Sequence, residues 1–184
     1  GAGGPVLRDP MKLIAWNCRG LGNRPAVRSL LELQKTEGAD ILFLSETKLD
    51  KRRMERFRWS LGLSNIVVCK CGGKGGGIAV FWRRRVNVVL RNYSNNHIDV
   101  DIFQDDGFKW RFTGVYGFPQ TEDRHKTWTL LRDLHAQENL PWLCAGDFNE
   151  ILFQHEKEGG SLKPQSQMDR FREAIVDCDL QDLG

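Results

Sequence analysis

The sequence predicts an α/β (α+β) fold in which buried strands stop abruptly at polar residues, with helices between some of them and an antiparallel meander in the middle. Three observations support this. Short uninterrupted apolar runs at 13–16, 41–44 and 141–145 each lead to a polar residue. Apolar residues recur at helical spacing after the first run and before the last, and residues 86–116 alternate in character between turn-forming clusters. Continuous apolar runs mark strands covered on both faces, and such strands place ligands beyond their carboxyl ends.

A chain of 184 residues suits one domain whose core needs neither disulfide nor metal. The charge balance, 27 Lys plus Arg against 24 Asp plus Glu, permits a polyanionic partner without requiring one. Cys18, Cys69, Cys71, Cys144 and Cys178 are odd in number and contain no Cys-x-x-Cys pair, so they read as buried thiols in a reducing compartment. No apolar stretch approaches the roughly 18 residues of a membrane span, and the N-terminus lacks the apolar centre of a signal peptide. The expectation is a soluble intracellular monomer without a membrane partner. Residues 1–10, rich in Gly and Pro, read as a flexible lead to a single unit over 11–184.

The first strand closes on Asn17 and is followed by the loop Arg19-Gly20-Leu21-Gly22-Asn23-Arg24. Pro25 suits a first helical turn, Val27, Leu30 and Leu31 share a face, and Gly38 is placed to end the helix. The second strand, Asp40 to Glu46, closes on a carboxylate. Residues 51–58 form a short basic helix whose charges read as a solvated face, with phosphate contact as the second reading. Strands at 65–71 and 77–82 flank Gly72-Gly73-Lys74-Gly75-Gly76, which lacks the Gly-Lys-Ser/Thr ending of a phosphate-binding loop and is assigned as a turn.

Strands at 86–91, 97–104 and 108–116 make the meander. Within the last, Trp110, Phe112 and Tyr116 share a face, with Lys109, Arg111 and Thr113 on the other, so Tyr116 starts from the core side. A helix over 122–137 turns Trp128, Leu131 and Leu134 inward, with Glu122 and Asp123 in its first turn. It feeds the strand ending in Gly146-Asp147-Phe148-Asn149-Glu150. Ser166-Gln167-Met168-Asp169 then has the form of a capping box opening a helix that buries Met168, Phe171, Ile175 and Cys178.

Gly-Asp-Phe-Asn alone reads first as a turn, because Asp, Asn and Gly are the residues turns prefer. It gains weight because Asn17, Glu46 and Tyr116 also stand at strand ends, and strand ends on one sheet edge converge. An amide, a carboxylate, a phenol and an aspartate-asparagine pair are parts for metal-assisted phosphoryl chemistry. A carboxylate helped by an amide oxygen suits Mg²⁺, which keeps most of its waters, and Tyr116 and Asn149 are donors for charge developing on phosphate oxygens.

Ile14-Ala15-Trp16-Asn17-Cys18-Arg19-Gly20, Leu44-Ser45-Glu46-Thr47, Gly114-Val115-Tyr116-Gly117 and Gly146-Asp147-Phe148-Asn149-Glu150 resemble, in order and spacing, the endonuclease/exonuclease/phosphatase superfamily. Within it the likeness runs to the apurinic-type endonuclease domain of plant LINE (non-LTR) retrotransposon polyproteins. Gly75 to Trp82 and Cys178 to Gly184 are similar to that subgroup. The resemblance implies a four-layer sandwich of two facing mixed β-sheets flanked by helices. It implies Mg²⁺- or Mn²⁺-dependent hydrolysis of a DNA phosphodiester in the nucleus, leaving a 3′-hydroxyl that primes reverse transcription by a domain of the same polyprotein. By carry-over Glu46 is the metal ligand and Asn17 neighbours metal and phosphate. Asp147, Asn149 and Tyr116 are catalytic, with Tyr116 and Asn149 also contacting the phosphate. Arg19, read as one of the basic residues favouring a polymer backbone, joins the substrate-binding set.

The resemblance also calls for a Ser-Asp-His segment, which does not occur here. His97, His125, His135 and His155 lack the required neighbours and read as surface or structural. The expectation is therefore a domain incomplete at its C-terminus, short of the last strands of one sheet and impaired in cutting. The alternatives are the same fold acting on RNA, an inositol phosphate or a lipid, or a non-catalytic nucleic-acid-binding remnant.

Overall fold

Leu13–Asn17 (β1) and Ile41–Ser45 (β2) pair in parallel, joined by the helix Arg24–Glu37 (α1). The computed structural model describes residues 10–70 and 76–184. Local chemistry sets the limits of α1. Asn23 Oδ1 accepts from the Ala26 amide at 2.9 Å, Pro25 occupies the first turn, and Gly38 closes the helix at φ 60° while its N–H reaches Gln34 O. The basic helix Lys51–Leu61 (α2) follows, capped by Asp50, whose Oδ1 accepts from the Arg53 amide at 2.8 Å. Asn65–Cys69 (β3) and Ile78–Trp82 (β4) complete an antiparallel addition, giving the strand order β1-β2-β4-β3.

The second sheet is the meander Asn87–Tyr93 (β5), His97–Phe103 (β6) and Lys109–Tyr116 (β7), to which Trp142–Asp147 (β8) adds in parallel through the helix Arg124–His135 (α3). A last helix, Gln165–Asp177 (α4), packs beside α3. Strand alternation sorts the side chains into layers. Leu42, Leu44, Ala79 and Phe81 meet Leu30 of α1 and Met54 of α2. Ile41, Phe43, Ile78 and Val80 meet Ile98, Val100, Ile102 and Phe112 of the facing sheet. On the outer side of the second sheet, Val115 packs with Trp128, Leu131, Phe171 and Ala174. Two mixed sheets flanked by four helices form an α/β sandwich, and each fully buried Leu, Ile or Phe contributes about 1.5–3 kcal/mol by leaving water.

Several expectations shift in detail. Ser166 does not cap α4: the helix begins at Gln165 after Pro164, without a side-chain cap, and Gln165 Nε2 instead donates to Asp169 Oδ1 at 3.0 Å. Glu122 and Asp123 lie in a 3-10 turn, Thr121–Asp123, ahead of α3. The run 142–145 does have apolar partners on both faces. Yet β8 is a sheet edge, so its residues are half-buried or, at Gly146, exposed. The other edge at this side of the sandwich is β1, likewise half-buried throughout. Most of the lead at 1–10, the glycine turn at 72–76 apart from Gly76, and Cys71 lie outside the described residues. Cys18, Cys69 and Cys178 are buried free thiols, and Cys144 is half-buried. Among the described residues no helix is long and apolar enough to cross a membrane.

Candidate active site

The register of each parallel pair places the polar residues together. Asn17 stands opposite Ser45, one residue before Glu46, and Tyr116 stands opposite Asp147. Across the gap between the sheets, Asn17 Nδ2 donates to Asp147 Oδ2 at 2.8 Å, and Tyr116 O–H donates to Glu46 Oε1 at 2.9 Å. Asp147 Oδ1 accepts from the Asn149 amide at 2.9 Å, and Asn149 Nδ2 donates to Gly117 O at 2.7 Å. Thus Asn17, Asp147 and Asn149 form one hydrogen-bonded group and Tyr116 with Glu46 a second, side by side at the same edge. Arg19 is exposed on its rim. Its backbone N–H donates to Asn17 Oδ1 at 2.9 Å, and it lines with Asn17 and Asp147 a cleft of about 510 Å³.

The backbone around these residues is unusual. Among the described residues the non-glycine positions with left-handed φ are Arg19, Glu46, Lys48, Asn149 and Asp179, and the first four follow the ends of β1, β2 and β8. Such conformations cost on the order of 1–3 kcal/mol each and persist only where the surroundings enforce them. The surroundings are visible: Gly20 N–H donates to Glu46 O at 2.7 Å, Lys48 N–H to Gly76 O at 2.8 Å, and Gly117 N–H to Asp147 O at 2.7 Å. Gly146 adopts φ 141°, and a Cβ there would stand 2.0 Å from Val115 O, so only glycine lets β8 approach β7 closely enough to deliver Asp147.

Burial pushes the Tyr116 phenol well above its ordinary range. The hydrogen bond to Glu46 and the charges of Glu46 and Asp147 add to this, while Asn149 opposes it. Tyr116 is therefore a neutral O–H donor at neutral pH. Burial likewise pushes the adjoining Cys18 thiol up to about 12, which makes it a packing group rather than a nucleophile.

Some contributors were given no role from the sequence, although Thr47 and Glu150 stand inside its motifs. The Glu150 carboxylate is almost fully buried between Arg124 at 2.9 Å and Lys163 at 3.0 Å, anchoring the loop that starts at Asn149. No spacing or motif in the sequence links Arg124 or Lys163 to Glu150. Thr47 is buried directly behind Glu46, with no partner for its Oγ1. The histidines lie elsewhere: His97 between Ser94 and Asn92, His125 against Glu122 O, His135 on Trp142 and His155 on Phe153.

The donor set available to a metal is hard oxygen, the Glu46 carboxylate with the Asn17 amide oxygen. Among the described residues no three His, Cys, Asp or Glu side chains gather as a cage. One carboxylate and one amide fit a small divalent ion that retains water and takes further oxygens from a phosphate.

The sequence model of the Endonuclease/Exonuclease/phosphatase family matches residues 14–166. No curated protein sequence matches the chain. Among solved structures, the endonuclease domain of TRAS1, a telomere-specific non-LTR retrotransposon, superposes with a TM-score of 0.71 at 14% identity, over 95% of this chain and 74% of that one. The AP endonuclease LMAP from Leishmania major gives 0.67 at 14% identity, over 91% of this chain and 66% of that one. The 3′ phosphatase NExo from Neisseria, bound to product DNA hairpin, gives 0.62 at 17% identity, over 92% of this chain and 71% of that one.

Proposed function

The chain belongs to the endonuclease/exonuclease/phosphatase family, and on that premise we propose that it hydrolyses DNA phosphodiesters with Mg²⁺ or Mn²⁺, nicking one strand to leave a 3′-hydroxyl suited to priming reverse transcription. The observation that carries the reading is the pair of bonds across the sheets, Asn17 to Asp147 and Tyr116 to Glu46. They join two carboxylates, an amide and a neutral phenol at one edge. The structural likenesses that support DNA as the substrate are to an AP endonuclease, a retrotransposon endonuclease and a phosphatase bound to a DNA hairpin.

Glu46 and Asn17 would hold the divalent ion, which when bound supplies charge stabilisation at the phosphate and the departing oxygen. Each Asp147 oxygen accepts one N–H, from Asn17 or from Asn149, so the carboxylate is fixed in orientation with lone pairs left to take a proton from water. Water attacks phosphorus, the bond to the 3′ oxygen breaks, and that oxygen takes up a proton. Tyr116 O–H, once Glu46 turns from it to the ion, and the remaining Asn149 N–H would donate to phosphate oxygens. Because no histidine joins the site among the described residues, the rate expected of this chain is low.

Supercoiled plasmid incubated with Mg²⁺ tests the proposal. Nicked circles that a polymerase extends without prior phosphatase treatment are expected, and chelation should abolish them. Asp147→Asn should lower the rate at least about 100-fold, the usual order for loss of a positioned acid–base group. Equal nicking by wild type and Asp147→Asn would overturn the assignment. Cleavage of RNA or release of phosphate from inositol phosphates in preference to DNA would redirect it to another phosphoester.

A further inference from the structure

On the far side of the first sheet, α1 carries two faces. Leu30 and Gln34 are buried beneath the helix, whereas Arg24, Val27, Arg28, Leu31 and Lys35 recur at i, i+3, i+4, i+7 and i+11 and so run along one side. α2 presents a matching stripe in Arg53, Arg56, Phe57 and Ser60. Between the two stripes lies an open groove of about 640 Å³. We propose that this groove docks an acidic amphipathic helix from a partner protein.

Two chemistries are combined along it. The floor is apolar, with half-buried Val27, Leu31, Leu49 and Phe57, and an apolar strip rimmed by polar groups is a mark of an interaction surface. The rim is cationic. Arg24, Arg28, Lys35, Arg53 and Arg56 face one carboxylate, Glu32, and none of these five cations has a side-chain hydrogen bond or ion pair among the described residues. A phosphate backbone would satisfy the rim but leave the floor without a counterpart. A helix with apolar anchors at i, i+3 or i+4, and i+7, flanked by Asp or Glu, satisfies both. From Arg24 to Lys35 the groove runs about 16 Å along α1, at about 1.5 Å per residue, which matches three turns of such a helix. The proposal stands apart from the phosphodiesterase reading.

A fluorescent peptide of about 16 residues, with Leu on one face and Glu on the other, serves as the probe. Expected is saturable binding in the micromolar range, weakened at least tenfold in the double variant Arg28→Glu/Arg56→Glu and separately in Leu31→Gln, with thermal melting by circular dichroism unchanged. Binding of a scrambled peptide, or of a Lys-for-Glu peptide, as tightly as the probe would overturn the proposal. So would absence of binding, or variants that bind unchanged. If a short DNA duplex displaces the probe and the same variants lose DNA affinity, the groove is a nucleic-acid surface instead.

Discussion

At the scale of single residues the site contains one group whose titration is readable. Tyr116 is 7% exposed, and burial together with its bond to Glu46 favours the neutral phenol in the folded state. In a Tyr93→Phe variant, which leaves Tyr116 as the sole tyrosine, absorbance near 295 nm should stay flat through the ordinary phenol range near pH 10. The unfolded chain loses this proton at lower pH than the folded one. The resulting stability is therefore fully present below about pH 10 and is withdrawn as pH rises toward the folded value, with Cys18 acting in the same direction from about pH 9. Urea midpoints measured from pH 8 to 11 should fall, and less so in Tyr116→Phe. A tyrosinate signal appearing near pH 10 in the folded protein would refute the burial argument.

Among elements, the packing of the two sheets depends on a contact no sequence pattern shows. A Cβ on Gly114 of β7 would stand 2.3 Å from the Phe43 ring of β2, so the facing sheet uses the missing side chain as a seat for Phe43. Gly114→Ala should cost about 1–3 kcal/mol by overpacking, read as a lower urea midpoint and partly recovered by Phe43→Leu. The strand ends themselves were legible, because apolar runs that stop at Asn17, Glu46 and Asp147, and an alternating strand that ends on Tyr116, follow from what a strand against a core must be. The outer face of the meander was not. Asp99, Asp101 and Arg111 alternate with apolar residues as solvent-facing positions would, yet Arg111 is fully buried. Its Nε and Nη2 bond Asp99 at 2.8 and 2.7 Å, and its Nη1 bonds Leu134 O. Only the placement of α3 over that face makes it an interior, and nothing in the strand announces it. Asp99→Ala leaves the Arg111 charge unpaired there and should destabilise by about 3–5 kcal/mol, whereas loss of the exposed Lys12–Glu37 pair should cost less than about 1 kcal/mol.

For the whole molecule, the site is also what fastens one sheet to the other. Among the described residues, the side-chain hydrogen bonds that cross between the sheets are Asn17 to Asp147 and Tyr116 to Glu46; elsewhere the sheets meet through apolar side chains. The first of these ties β1 to β8, the edge strands on the same side of the sandwich, each hydrogen-bonded to one neighbour only. Edge strands with half-buried residues open more easily than central ones, so the bond between Asn17 and Asp147 should hold both edges at once. Asn17→Ala removes one donor from a carboxylate that keeps its Asn149 bond, a loss of about 0.5–1.5 kcal/mol. Amide hydrogen exchange in this variant should quicken in β8 as well as in β1, while β6, whose inner face is fully buried, keeps its protection. Faster exchange confined to β1 would mean that the bond orients Asp147 without joining the sheets. Faster exchange in both strands would mean that the same contact which aims the carboxylate also sets the distance between the sheets, so that the geometry of the cluster and sandwich closure cannot be altered separately.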